Sequence, residues 1–525
     1  MEFSMQPLAL SSTRYMWCML LTIGMLVFLL NIDYTAVNLA LLPISEEINC
    51  DLNSLQWLLS GYVLTWGAVV VPAGRLADLY GRKNVLIAGL TLFILGSILT
   101  GAFNHINLLI GGRILQGIGA AVFTAPGMSL IFTSAPPSQQ GLAMGVISSL
   151  AGFGLATGPT FAGWIIKSFG WRWIFYINIP LSLLVIFVIF HLTPKDETSS
   201  FSLKIDKGSA LFLTCGLGSF MFALNQIEVW GVQGFWFWGL LGLGCALLII
   251  FALRDKNSPF QTFPYTLLRN KAFMSTGGAI FGTAYCFSLI LIMIALYLQN
   301  TLKMSSLETG YIFLAMTLSV GLLSPISGKL VDLIDIRIPL MSAFILLFSA
   351  LLLMSFFSET TSMVFILSAL FLAGLGIGFN FPAMNTAMFR TIEPADINTG
   401  SAVFVMCAML GNTLAIIVST NLIVMLGRSE LTTLLSQHNI VLTPLEYEQV
   451  ISIINKVEHT AQQLSGFAED KIPHLLHLID LAFLNGLRMT MWIGMGLTLL
   501  STILVCKFLK LKATTPSAQH MTSHF

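Results

Sequence analysis

"GRLADLYGRKNVL", residues 74–86, sets Arg75, Asp78, Arg82 and Lys83 close together in a 525-residue chain whose charged residues make up only 9%. The pattern returns at residues 328–340, "GKLVDLIDIRIPL", where Gly328, Lys329, Asp332 and Arg337 repeat a glycine, a base, an acid and a later base at the same spacings. A sequence this poor in charge has written one charged phrase twice. The duplication implies two structurally equivalent halves.

The surrounding composition says what the halves are made of. Hydrophobic residues reach 56%, with 39 Phe and 24 Met, and the mean hydropathy is +0.85. Soluble domains use roughly 45–50% apolar residues, so the chain is predicted to be an integral membrane protein. One span needs about 20 mostly apolar residues. Windows of that length fall at 16–39, 54–73, 84–103, 107–131, 141–164, 172–192, 208–227, 235–253, 273–298, 309–328, 338–357, 363–388, 399–426 and 484–508, about fourteen transmembrane helices. The first run continues through Asn31 and Asp33 without a small-residue cleavage site, so it reads as a retained span and not a signal peptide.

Basic residues concentrate on one side of these spans, among them Arg14, Arg75, Arg82, Lys83, Lys195, Arg254, Lys271, Lys329, Arg337, Arg390 and Lys507. The short joints of the other side hold only Lys167, Arg172 and Lys303. By the positive-inside rule both termini are expected in the cytoplasm of a multi-pass protein in a bacterial inner or plasma membrane. A net charge of +1 points to no nucleic-acid partner. Seven cysteines without CxxC spacing give no disulfide framework and no metal site. His474, His477 and Asp480 have helical spacing, but a solvated helix face explains them without a metal.

The repeat sets the domain plan. Gly74 maps to Gly328 at an offset of 254, while Gly117, Gly119 and Gly141 map to Gly376, Gly378 and Gly400 at 259. Six spans with joints occupy roughly 200 residues, so the offset leaves one helical pair between the halves. The expected organisation is an N-terminal six-helix bundle in 1–192, linkers and the inserted pair in 193–271, and a C-terminal six-helix bundle in 272–525. That last unit includes a long extracytoplasmic loop, 427–483. Within the loop, Thr443-Pro444-Leu445-Glu446 has the form of a capping box, and Val450 to Val457 are apolar at helical spacing. The segment is predicted to be a short amphipathic helix, either packed on the outer rim or presented to a partner.

Two ionisable residues stand inside spans: Asp33 and Arg113. A charge at mid-bilayer costs roughly 2.5–3.5 kcal/mol on insertion scales, which makes it a functional candidate. At about 1.5 Å per residue, Asp33 lies about 24 Å from the inner end of its span and Arg113 about 9 Å from the outer end of its own. Their depths allow contact. A permanent salt bridge is the ordinary alternative to a proton site. Small residues form a face at Gly141, Gly145, Ser148 and Gly152, and Gly154, Gly158 and Ala162 continue it, which also suits ordinary helix packing.

Five stretches carry a resemblance when taken in order: "DYTAVNLALLP" (33–43), "GRLADLYGRK" (74–83), "RILQGIGAA" (113–121), "GFGLATGPTFAG" (152–163) and "WRWIFYINIP" (171–180). The chain resembles the major facilitator superfamily, and within it the fourteen-span drug:proton antiporter branch typified by EmrB and QacA. The resemblance implies an all-α fold of two pseudo-symmetric six-helix bundles working by alternating access, and no enzymatic activity. The implied function is proton-coupled efflux of drugs or toxic compounds, with export of an endogenous metabolite such as a siderophore as the alternative. No cofactor beyond the coupling proton is implied.

The same resemblance assigns roles residue by residue. Asp33 and Arg113 would couple protons. Gly74, Arg75, Asp78, Gly81, Arg82 and Lys83, with Gly328, Lys329 and Asp332, would form a conformational latch. Asp78 would face the start of span 13 near Asn398 to Gly400, and Asp332 the start of span 5 near Ser138 to Gly141. Asp335 and Ile336 depart from the motif, so the second latch is expected to be the weaker. Gly154, Gly158, Pro159 and Gly163 fit the antiporter motif, with Ala162 replacing its usual first glycine. Tyr34, Trp66, Gln116, Tyr285, Asn380, Asn385 and Asn412 are the polar and aromatic residues expected along a substrate cavity. In double-membrane bacteria, relatives work with a periplasmic adaptor and an outer-membrane channel, which makes the 427–483 loop a candidate adaptor surface.

Overall fold

The computed structural model describes residues 12–48, 50, 52–193, 206–231, 233–258, 261–437 and 472–509. Among them no strand occurs and fourteen helices are long and apolar enough to cross a membrane. In hydrocarbon every backbone N–H and C=O must be satisfied within the chain, which an α-helix does by itself. The first six are α1 (Ser12–Ile48), α2 (Leu52–Tyr80), α3 (Arg82–Ala102), α4 (Ile106–Ser134), α5 (Gln140–Phe169) and α6 (Asn178–Leu192). Next come α7 (Lys207–Asn225) and α8 (Phe235–Asn257). The last six are α9 (Lys271–Leu296), α10 (Ser306–Leu333), α11 (Arg337–Met354), α12 (Met363–Thr391), α13 (Ile397–Gln437) and α14 (Ile472–Phe508).

Packing repeats between the two sets of six. α1 packs on α5, α2 on α4, and α3 on α4; correspondingly α9 packs on α13, α10 on α12, and α11 on α12. Internal prolines repeat as well, with Pro72 in α2 matched by Pro325 in α10, and Pro126 in α4 by Pro382 in α12. The halves meet along two seams, α5 against α10 and α2 against α13. α7 and α8 pair with each other, and α7 lies against α2 and α13, outside both sets of six. At one end of that pair, Asp206 caps α7 through Gly208 N (3.0 Å) and also takes a bond from Arg254 Nε of α8 (3.1 Å). The arginine pulls the Asp206 carboxyl down to about 2.

The last two spans exceed the expected bounds of 399–426 and 484–508. α13 has 41 residues and α14 has 37, so at about 1.5 Å per residue α13 is about 60 Å long against about 30 Å of hydrocarbon. Both ends of the 427–483 loop are therefore continuations of membrane helices. Hydropathy stops where lipid stops, whereas the helix does not. The expected helix around 443–457 lies outside the described residues, as does the side chain of His474. His477 Nδ1 stands 2.9 Å from Glu359, an ion pair when the imidazole is protonated.

Candidate functional site

The charges inside the bilayer converge. Arg113 Nη1 donates to Asp33 Oδ2 at 2.8 Å and to Gln116 Oε1 at 2.8 Å, and its Nε donates to the Leu58 carbonyl at 2.9 Å. The other carboxylate oxygen of Asp33 accepts from Asn178 Nδ2 at 2.9 Å. Gln116 Nε2 passes the chain on to Ser97 Oγ at 2.7 Å. The guanidinium lies 4.3 Å from the Tyr62 ring centroid, within cation–π reach. Asp33 and Arg113 are each 1% exposed, so neither is rescued by bulk water. The Tyr62 hydroxyl and Asn178 Oδ1 are buried without a hydrogen-bond partner.

Asn178, Tyr62 and Ser97 were not singled out in the sequence. The available signal was Asn178, a polar side chain inside an apolar run of the quoted stretch 171–180. Gln116, expected on the cavity, is instead held inside this network and fully buried.

The duplicated charged phrases lie where the halves touch. Asp78 Oδ1 accepts from Asn398 N (3.1 Å) and Asn398 Nδ2 (2.7 Å), and Oδ2 accepts from Thr399 N (2.9 Å) and the Thr399 hydroxyl. The carboxylate thus caps the first turn of α13, where unpaired N–H groups and the helix dipole favour an anion. Arg75 reaches Asp396 just before that helix, at 3.4 Å. In the second copy Asp332 accepts from Gly141 N (2.8 Å) and Leu142 N (2.9 Å) at the start of α5.

Asp332 also takes a bond from Arg390 of α12 at 3.2 Å, a base that the departures at Asp335 and Ile336 did not point to. Asp335 turns to Arg337 instead, which keeps its carboxyl below the usual range. Arg82 donates to Thr133 of α4, and Lys83 donates to the Phe190 and Thr193 carbonyls (2.7 and 2.6 Å) at the end of α6. A cation there suits the negative helix end. Gly81, with φ 87°, makes the turn that starts α3, and Lys329 is exposed.

Glycine sets how closely the seams approach. A Cβ on Gly74 would stand 2.6 Å from Ala402 Cβ and 2.7 Å from the Asn398 carbonyl. A Cβ on Gly328 would collide with the Gly141 carbonyl, and one on Gly141 with the Gly328 carbonyl. Higher in α5, Gly154 packs on the Phe28 carbonyl and Gly158 on Thr35, both of α1. One end of α5 therefore touches the opposite half and the other end grips the helix that carries Asp33. Gly163 faces open space, so the buried position belongs to Ala162; the Pro159 side chain lies outside the described residues.

Between the halves is a cavity of about 270 Å³, lined from α1, α4 and α5 on one side and α9, α10, α12 and α13 on the other. Asn385 and Asn412 line it as expected, and Asn31, not foreseen, joins them. Tyr34, Trp66, Tyr285 and Asn380 do not. Tyr34 is 44% exposed, and Trp66 stacks edge-on against Tyr62. Tyr285 is buried in the core of the second half, while Asn380 is buried and takes a bond from Thr283 at 3.1 Å. An aromatic or amide residue in a span reports its depth poorly and its helix face not at all.

A family model described as the Major Facilitator Superfamily matches residues 21–416. The chain is 28% identical over 399 residues to the multidrug resistance protein Stp of Mycobacterium tuberculosis (strain CDC 1551 / Oshkosh), covering 75% of this chain and 73% of that protein. It is 27% identical over 387 residues to the riboflavin transporter RibZ of Clostridioides difficile (strain 630), covering 72% and 82%. In fold it is similar to the human organic anion transporter MFSD10 (TETRAN), with a TM-score of 0.59 at 14% identity and coverage of 94% and 98%.

Proposed function

The chain belongs to the Major Facilitator Superfamily and is a membrane transporter, not an enzyme, and we propose that it exports drug-like or toxic small molecules in exchange for protons, as an antiporter of the EmrB/QacA type. The observation that carries this reading is the buried Asp33 and Arg113 pair. In general a carboxyl shut away from water holds its proton when alone and gives it up when a guanidinium pairs with it. Alternating access that moves Arg113 relative to Asp33 exchanges these two conditions. Each proton returning then contributes about 2.3 kcal/mol per 100 mV plus about 1.36 kcal/mol per pH unit. α5 links the events, since it touches α10 across the seam and holds α1 beside it. In this reading the face with Asp78 and Asp332 is cytoplasmic, and the described conformation has that face shut.

Uncoupler-sensitive export tests the proposal. Inverted vesicles should accumulate a fluorescent substrate only with an inward-acid gradient, and an uncoupler should empty them. Accumulation indifferent to the uncoupler removes proton coupling. The occurrence of a riboflavin transporter among the relatives supports a second reading, export of a metabolite, which assay of candidate metabolites in the same vesicles separates. The helical extensions of α13 and α14 suit contact with an adaptor protein outside the membrane, a role tested by comparing resistance in cells with transport in vesicles after deletion within 438–471.

The seal itself has a measurable strength. Asp78→Asn keeps one acceptor but turns an amide N–H₂ toward the Thr399 donors, costing about 2 kcal/mol, or roughly thirtyfold in the closed-to-open ratio. Cysteine labelling at the cytoplasmic mouth should rise accordingly. Labelling unchanged from the parent protein means that the contact is only a helix cap.

A further inference from the structure

We infer that the central cavity selects uncharged, aromatic or amphiphilic molecules bearing a hydroxyl or amide group, and discriminates against organic cations and anions. The inference rests on the transporter reading of this cavity. Its first support is the lining: none of the described residues there carries a charge, and the polar ones are Asn31, Ser148, Thr317, Asn385 and Asn412. The nearby acids offer nothing to a cation. Asp33, two residues from Asn31, has one oxygen on Arg113 and the other on Asn178, while Asp78 and Asp332 are spent at the seal.

The second support is the hydrogen-bonding capacity that the lining has left over. Asn31 Nδ2 donates to the Val27 carbonyl at 2.7 Å and Asn385 Nδ2 to the Phe381 carbonyl at 2.8 Å. Each bond uses one amide N–H, which leaves the oxygen and the second N–H of both side chains for a ligand. The hydroxyls of Ser148 and Thr317 likewise donate back along their own helices, to the Met144 and Phe313 carbonyls. Asn412 Oδ1 accepts from Ser288 at 3.0 Å, so this side chain offers its N–H groups. The lining thus holds acceptor lone pairs and amide donors, which together complement a hydroxyl or amide. Phe287 and Phe381 supply apolar walls. Their ring faces attract a cation, but by less than the hydration it surrenders on entering a site with no counter-charge.

Equilibrium binding to the purified full chain in nanodiscs of zwitterionic lipid tests this without any proton gradient, so failure of coupling and failure of selectivity are read separately. The probes are triphenylmethanol, triphenylmethane, tetraphenylphosphonium and tetraphenylborate, each corrected for binding to empty nanodiscs. Triphenylmethanol should bind at least tenfold more tightly than the other three. Asn412→Asp should bring tetraphenylphosphonium level with or ahead of triphenylmethanol, and Thr317→Asp, on a different helix, repeats the test should the first variant misfold. Tetraphenylphosphonium binding as tightly as triphenylmethanol to the parent protein, no binding of triphenylmethanol, or a folded variant with an unaltered order would each overturn the inference.

Discussion

Asp33→Asn abolishes gradient-driven export and leaves equilibrium substrate binding intact. The amide occupies the same volume and still accepts from one partner, but it cannot carry a proton, so the gradient loses its handle. Cavity residues are untouched, because Asp33 is 1% exposed and does not line the cavity. The substitution also leaves Arg113 charged and buried, and breaking a buried ion pair costs about 3–5 kcal/mol. Part of that is recovered because Arg113 keeps the Leu58 carbonyl, Gln116 and the Tyr62 face. The thermal midpoint should therefore fall while the protein remains folded. Adding Arg113→Gln removes the stranded charge, and the double variant should regain thermal stability without regaining transport. Recovery of both together would identify the pair as a structural bridge with no role in coupling.

Gly328→Ala prevents closure of the α5–α10 seam. Alanine improves helix propensity by about 1 kcal/mol over glycine, so a loss of function is not a failure of α10 to fold. The added methyl collides with the Gly141 backbone carbonyl, which has no rotamer with which to move aside. Relieving it separates the helices and pulls Asp332 away from Gly141 N and Leu142 N, bonds of 2.8 and 2.9 Å. Transport should fall to background, and a cysteine at Met144, fully buried one turn into α5, should become labelled from the same face. Gly310→Ala, on the same helix with open space at its Cβ, should be silent. Normal transport by Gly328→Ala shows that the seam relaxes at no cost.

The duplicated phrase was legible because a charge in a low-charge chain is informative by itself, and its spacing survived duplication. The same reasoning found Asp33 and Arg113. It missed Asn178 and Tyr62, which complete their surroundings, because neutral polar side chains inside spans are too common to signal a partner. Arg390 escaped for another reason: it sits 58 residues from Asp332 along the chain, and only the packing of α12 on α10 brings it there. The cavity fared worst. Which of several amides faces the cavity depends on helix rotation, and helices apolar all round carry no periodicity to fix it; hence Asn31 was overlooked while Tyr285 and Asn380 were placed where they do not point. The ends of α13 and α14 were underestimated because hydropathy measures lipid contact, not helix length.

Proton release on substrate binding tests the central claim most directly. In weakly buffered detergent solution with a pH indicator, adding a transported substrate to the parent protein should acidify the medium. The acidification should saturate with substrate and vanish in Asp33→Asn, although binding persists. Equal acidification by the parent protein and Asp33→Asn, or none from a parent protein that demonstrably binds, would contradict proton exchange at Asp33.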